Sequence, residues 1–304
     1  MHVAENIKKI FLENDLRPIV VVSAVKGVTD SLLRVASGRR EFLDGVESRY
    51  TQIAMEIGSS KLIKRVEEEL KKLRRIVESI EYADPVLTDA IVSYGERISK
   101  IILVQALENV GVEAFELNAK DVIVTDEVHG NASVDYTATA IALEKVYSAV
   151  KDSRYVPVIE GFIGATLDGV ITTLGRGGSD YTATTIAALL KLDRVYLVTD
   201  VDGIMTTDPD LIPTAKLVKY MSYAEALEAS MYGAKGINPK SFEPLEKIHS
   251  SNVLIGSWRL FGTTIMKELP REFIGPKVVM MKEMADYTYI CLLYTSPSPR
   301  DRTR

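Results

Sequence analysis

Short runs of β-branched residues alternate along this chain with longer stretches whose apolar positions recur every three to four residues. Residues 19–22, 122–125, 156–159, 170–173 and 195–199 form the first class, and each reads as a buried strand. The longest helical pattern runs over residues 61–82, with Leu62, Ile63, Val66, Leu70, Leu73, Ile76, Val77 and Ile80 on one face. Outside it, Glu67 and Lys71, and Glu68 and Lys72, stand at the four-residue spacing of helical ion pairs. Residues 88–110 predict a second helix, with Gly111 as its C-cap. Strands that alternate with helices imply a largely parallel α/β sheet. A short echo, Asp135-Tyr136-Thr137-Ala138-Thr139 and Asp180-Tyr181-Thr182-Ala183-Thr184, opens two apolar helical segments. It is either two helices that start alike, since Asp is a good N-cap, or a duplicated half.

Composition narrows the function classes. The 304 residues are 46% hydrophobic, enough for a sizeable core and about two domains. A net charge of -5 gives none of the basic footprint that nucleic acid demands. One cysteine, Cys291, excludes a disulfide framework, and no Cys and His cluster has zinc-ligand spacing, so no metal site is expected. The start of the sequence has no apolar signal core and no apolar run is long enough to span a bilayer. A cytoplasmic protein with neither nucleic acid nor membrane as a partner is the expectation.

Four stretches carry candidate chemistry. The first is Thr172-Thr173-Leu174-Gly175-Arg176-Gly177-Gly178-Ser179-Asp180, a strand end, a glycine loop and a helix start in succession. Such a loop can aim backbone N–H groups and a helix dipole at an anion, and Arg176 adds a bidentate donor; a tight structural turn is the alternative. It has neither the Walker A spacing nor the dinucleotide fingerprint. The second, Ser23 to Asp30, sets two hydroxyls after a strand, where open α/β sheets bind ligands, although Ser and Thr are also ordinary N-caps. In the third, Ser93-Tyr94-Gly95-Glu96-Arg97, a glycine inside a helix suggests close packing or ligand approach, while a surface Glu–Arg pair is the commoner reading. The fourth, Thr199 to Pro209, is an acidic turn after a strand; a calcium loop fails because no Glu closes the twelve-residue pattern. The three histidines, His2, His129 and His249, are too scattered for a triad or a metal site and read as structural or surface residues.

Taken in this order, the stretches resemble the aspartokinase branch of the amino acid kinase superfamily. The resemblance runs over about residues 3–267 and is strongest at Gly161-Phe162-Ile163-Gly164, at the glycine loop and at Ser93 to Arg97. It implies a three-layer αβα sandwich around a mainly parallel, eight-stranded sheet, and transfer of the ATP γ-phosphoryl group to the side-chain carboxylate of L-aspartate. That reaction opens the route to lysine, threonine and methionine. On the family pattern Ser23, Thr29, Glu96, Arg176 and Ser179 hold aspartate, Arg176 on its α-carboxylate and Glu96 on its amino group. Gly177, Gly178, Thr199, Asp200, Thr206 and Lys235 form the nucleotide site, and Arg176, Asp180 and Lys235 serve catalysis, Asp180 by organising phosphates and Mg2+. A carboxylate nucleophile is already ionised at neutral pH and needs no general base, which suits a chain with few histidines.

The sequence also departs from the family. A Lys-Phe-Gly-Gly motif, a first strand with a phosphate-facing lysine, is expected upstream of where this sequence begins. Met205 stands where Tyr is frequent, Asp210 where Arg is frequent, and Asn238 where His is frequent. The implied organisation is a kinase domain over 1–270 lacking its first strand, the start of an ACT regulatory domain over 274–290, and a non-native tail over 291–304. A homo-oligomer is expected of the intact protein.

Overall fold

A computed structural model describes residues 1–151, 153–207, 212–231, 238–269, 276–283 and 288–294. The chain divides into two compact units, residues 1–182 and 183–304.

In the first unit, helix α1 (His2–Ile10) is followed by strand β1 (Val20–Val22) and helices α2 (Val28–Ala36), α3 (Glu41–Ile57), α4 (Ser60–Ser79), α5 (Pro85–Val92) and α6 (Tyr94–Asn109). Strand β2 (Ala114–Leu117), helix α7 (Tyr136–Val150), strands β3 (Val156–Glu160), β4 (Ile163–Ala165) and β5 (Ile171–Thr173) and the start of helix α8 (Gly178–Leu189) complete it. The sheet order is β1-β3-β2, parallel throughout, while β4 and β5 form an antiparallel hairpin. Helices α2 to α6 share one core, with Leu32, Leu43, Tyr50, Leu62, Leu73, Ile91 and Ile98 fully buried.

The predicted face of α4 is the one that packs: Leu62, Val66, Leu70, Leu73 and Val77 are buried. Its hydroxyl cap, Ser59, accepts from the Leu62 N–H, and Ile80 is already extended, so the helix ends before residue 82. Lys72 pairs with Glu69 at 2.6 Å rather than with Glu68. The single helix expected over 88–110 is two helices parted at Ser93, whose hydroxyl donates to the Ala90 carbonyl and disturbs the regular ladder. Gly111 does close α6, at φ +81°, with the Val112 N–H reaching back to the Leu107 carbonyl. Residues 122–125 are not a strand. They follow a 3-10 turn and make isolated bridges, Val124 with Ala165 and Thr125 with Val134, because Val124 also spends its N–H on the Thr139 hydroxyl. The two echoed segments begin differently: Asp135 caps α7 through the Thr137 and Ala138 N–H groups, whereas α8 starts at Gly178 and holds Asp180 inside its first turn.

In the second unit, β6 (Arg194–Val198), β7 (Tyr220–Ser222), helices α9 (Tyr223–Met231) and α10 (Glu243–Lys247), and strands β8 (Asn252–Gly256) and β9 (Thr263–Met266) surround a core that includes Met221, Phe242, Val253 and Ile265. The sheet order is β6-β8-β9-β7, with two parallel pairings and one antiparallel pairing. Strands β10 (Pro276–Glu283) and β11 (Thr288–Tyr294) form an antiparallel hairpin. Cys291 to Tyr294, read from the sequence as lacking a packing pattern, therefore continue a strand. The α/β class with parallel pairing is as expected; among the described residues the first unit's sheet has three strands and the second unit's four. Among the described residues no helix is long and apolar enough to cross a membrane.

Candidate active site

The carboxyl ends of β1, β3 and β5 all deliver their following residues to one cavity of about 420 Å³. Ser23 and Ala24 come from the end of β1, Thr29 and Asp30 from the first turn of α2, and Phe162 from the turn after β3. The glycine loop after β5 contributes Gly175, Arg176, Gly177 and Gly178, and α8 adds Ser179 and Asp180. All five residues expected to hold substrate, Ser23, Thr29, Glu96, Arg176 and Ser179, line this one pocket.

Glycines make the convergence possible. A Cβ on Gly95 would lie 2.9 Å from the Ala24 Cβ, so only glycine lets α6 approach β1 closely enough to bring Glu96 to its end. A Cβ on Gly161 would lie 2.6 Å from the Ser179 Cβ, which is how the end of β3 meets the start of α8. Gly175 and Gly177 take φ +79° and +69°, and the Gly178 N–H closes the turn on the Gly175 carbonyl. Phe162 is in the left-handed region at φ +68°, its N–H on the Thr182 hydroxyl and its carbonyl on the Leu174 N–H. A phenylalanine held there is strained, and such strain collects at functional sites.

Glu96 is the electrostatic centre of the pocket. It is 3% exposed; Oε1 accepts from the Ala24 N–H at 3.2 Å, and Oε2 is buried with no hydrogen-bond partner. Burial first, and the charge of Glu160 as a lesser cause, push its carboxyl up to about 8. Glu160 is itself satisfied, by Lys100 at 2.7 Å and the Ala119 N–H at 2.9 Å, in a buried ion pair. Arg97 is not the partner of Glu96: it pairs with Glu69 at 2.9 Å and stacks over the Tyr94 ring, so the surface pair belongs to Arg97 and the inward carboxylate to Glu96. Asp180, half-buried, is raised by burial to about 6. Arg176 is exposed, and among the described lining residues it is the one cation against the four carboxyl groups of Asp30, Asp89, Glu96 and Asp180.

Two pocket residues escaped sequence reasoning as site residues. Asp89 is 2% exposed and accepts from the Thr173 hydroxyl at 2.6 Å, the Thr173 N–H at 3.1 Å, the Gly130 N–H at 3.1 Å and His129 Nδ1 at 2.8 Å. Its one signal was a carboxylate inside the apolar run Val86, Leu87, Ala90, Ile91 and Val92. The other is Phe162, visible only as part of the glycine-flanked motif.

Of the expected nucleotide residues, Thr199, Asp200 and Thr206 fall in the second unit. Thr199, just past β6, donates its N–H to the Gly256 carbonyl, and its hydroxyl donates to the Val201 carbonyl while accepting from the Val201 N–H. Asp200 is exposed. Thr206 exchanges backbone and side-chain hydrogen bonds with Lys216. Neighbouring Asp202 is held below the usual carboxylate range by Arg259 and then Ser257. Asn238 caps the following 3-10 turn through the Lys240 N–H, and Lys235 and Asp210 lie outside the described residues. Among the described residues no three His, Cys, Asp or Glu side chains converge as a metal site.

Comparison with known proteins bears on this pocket. The Amino acid kinase family profile matches residues 1–257. Lysine-sensitive aspartokinase 3 of Escherichia coli (strain K12) is 35% identical over 233 residues, covering 74% of this chain and 52% of that protein. Aspartokinase 1, chloroplastic, of Arabidopsis thaliana is 32% identical over 248 residues, 75% of this chain and 42% of that protein. Escherichia coli aspartokinase III solved in complex with aspartate and ADP, in its R-state, superposes with a TM-score of 0.83 at 29% identity, over 92% of this chain and 64% of that one. The chain thus spans about half the length of the curated relatives it matches. A mixed α/β fold with parallel strand pairing, a glycine-loop pocket in its first unit and a family match over most of the sequence make this chain a member of the amino acid kinase family.

Proposed function

We propose that this chain is the catalytic region of an aspartokinase, which transfers the ATP γ-phosphoryl group to the side-chain carboxylate of L-aspartate. One observation carries the reading: a buried carboxylate with a partnerless oxygen, Glu96, shares a pocket with a guanidinium, Arg176. The substrate that satisfies both has an ammonium and a carboxylate on one carbon. Arg176 takes the α-carboxylate in a bidentate grip, Glu96 the ammonium, and the Ser23, Thr29 and Ser179 hydroxyls the remaining oxygens. Ionised aspartate needs no base; what the reaction needs is two anions held in line with charge compensation around the transferring group.

Gly177, Gly178, Thr199, Asp200, Thr206 and Lys235 are assigned to the nucleotide, and Arg176, Asp180 and Lys235 to the transfer. Mg2+ would neutralise phosphate charge. The donor set fits an ion held mainly by phosphate oxygens and water, with Asp180 as the protein carboxylate, rather than by a dedicated protein cage. Residues 1–270 are assigned to the kinase domain and 274–294 to the start of a regulatory ACT domain, since Cys291 to Tyr294 pair with β10. A cytoplasmic homo-oligomer that takes aspartate and MgATP completes the proposal.

A second reading, a domain that binds amino acid or nucleotide without turnover, draws on the charge balance of the pocket: Arg176 is the one cation among its described lining residues. Hydroxylamine trapping separates the two. An aspartyl hydroxamate that requires both L-aspartate and MgATP bears out the kinase; aspartate binding with no hydroxamate gives the second reading. Phosphorylation of glutamate or N-acetylglutamate in place of aspartate overturns both.

A further inference from the structure

Asp89 lines the pocket without being one of the residues assigned to substrate, nucleotide or transfer, and it is held by a dense set of donors. Its oxygens accept from the Thr173 hydroxyl and N–H, from the Gly130 N–H and from His129 Nδ1. A carboxylate only accepts, so His129 keeps its Nδ1 proton towards Asp89. These partners belong to two separate segments. Thr173 is the last residue of β5, immediately before the glycine loop; His129 and Gly130 lie in the turn between residues 126 and 134.

That turn and the strand end are clamped together on both sides. The Ala132 N–H donates to the Thr173 carbonyl at 2.9 Å, and a Cβ on Gly175 would come within 2.8 Å of the Asn131 Oδ1 and 3.2 Å of the Gly130 carbonyl. Both backbone polar atoms of Thr173 and its hydroxyl are therefore occupied, two of these three bonds going to Asp89, and the first turn of the loop rests on the segment that Asp89 also holds. Thr173 and Asp89 are 3% and 2% exposed, so water does not substitute for either. Three residues beyond Thr173 stands Arg176.

We propose that Asp89 is a positioning residue: by tying the end of β5 and the 126–134 turn to α5, it fixes the glycine loop so that Arg176 meets a substrate carboxylate. Resting on the amino acid reading of the pocket for its ligand, this assigns a role to a side chain outside the expected site. Glycines at 175, 177 and 178 give the loop little stiffness of its own.

The test compares Asp89→Asn, Thr173→Val and Thr173→Ser. Asn keeps one acceptor but turns an NH2 group toward donors; Val removes only the hydroxyl that Asp89 accepts from; Ser restores it. Amide hydrogen exchange on the unliganded chain reads the loop without any ligand. Asp89→Asn and Thr173→Val should speed exchange over residues 174–178 at least tenfold and leave the core of α4 within twofold, while Thr173→Ser recovers most of the protection. Calorimetric titration with L-aspartate should show affinity at least tenfold weaker in Asp89→Asn and about threefold weaker in Thr173→Val. Exchange that rises equally across the first unit, or an unchanged loop in both variants, overturns the proposal. Should Asp89→Asn fail to fold, the Thr173 pair decides it alone. If the parent chain binds no aspartate, the substrate reading falls, and the exchange result still decides whether Asp89 holds the loop.

Discussion

Replacing Glu96 by glutamine should make this protein more stable in mild alkali while removing its hold on an ammonium group. In the folded chain the Glu96 carboxyl is raised from 4.5 to about 8 by burial. A folded value above the unfolded one means that the protonated form is favoured on folding. That contribution is fully present below about pH 4.5, and is lost as the pH rises towards and through 8. At about 1.4 kcal/mol per pH unit, the whole interval amounts to on the order of 5 kcal/mol, and the part between pH 5.5 and 8 to about 3 kcal/mol. Glutamine cannot ionise and avoids this loss. Its NH2 group, left where Oε2 has no partner, costs about 1 to 3 kcal/mol at every pH, so the difference between two pH values isolates the carboxyl. Thermal unfolding followed by circular dichroism at pH 5.5 and 8 should show the melting temperature of Glu96→Gln gaining on the parent by roughly 6 to 12 °C between the two, at 2 to 4 °C per kcal/mol for a unit of this size. Aspartate binding adds a second readout. With a carboxyl titrating near 8, about nine-tenths of the free protein is protonated at pH 7, and pairing with an ammonium should expel close to one proton per site. Calorimetry in buffers of different ionisation enthalpy counts that proton. A melting difference that does not change with pH, together with no proton release, would refute the argument.

Arg176→Ala should weaken aspartate far more than nucleotide, on the order of 2 to 4 kcal/mol from the lost bidentate contact, and Arg176→Lys should recover only part of it; titration with each ligand separately decides. Gly161→Ala places a Cβ within 2.6 Å of the Ser179 Cβ and 2.7 Å of its Cα, and should cost about 1 to 3 kcal/mol of stability by urea titration, with weaker aspartate binding because Ser179 must move. Lys100→Met strips the buried Glu160 of its 2.7 Å partner and should destabilise by about 3 to 5 kcal/mol, whereas the double variant Lys100→Met, Glu160→Leu should regain most of the loss.

Sequence reasoning was strongest where one physical rule acted on neighbouring residues. The packed face of α4 is written in its period, the Gly111 cap in its conformational freedom, and the glycine loop in the spacing of residues 175–178. It was weaker where a side chain competed with the backbone. The Ser93 hydroxyl splits the long helix, and the Thr139 hydroxyl takes the Val124 N–H from a strand that residues 122–125 otherwise predict. Neither event leaves a periodicity to read. The five residues proposed to hold substrate share one pocket; Ser23, Thr29, Arg176 and Ser179 stand at strand or helix ends that the pattern marks, whereas the pattern puts Glu96 inside a longer helix. The role of Asp89 was not legible, since its partners lie 40 to 84 residues away and the apolar run around it marks a buried carboxylate without saying what holds it. Arg97 shows the converse: adjacent to Glu96 in sequence, it points to Glu69 because successive helical residues face different ways.

The central claim is that this pocket recognises an amino acid through one carboxylate and one guanidinium, and the most direct measurement is a calorimetric comparison of L-aspartate, N-acetyl-L-aspartate and succinate at pH 7. L-Aspartate should bind, and the two analogues that lack the ammonium should bind at least a hundredfold more weakly, on the order of 3 kcal/mol, because neither offers a cation to the buried Glu96 carboxyl. The same series on Glu96→Gln should show that preference collapse. Equal binding of all three ligands, or a preference for aspartate that survives in Glu96→Gln, would contradict the account.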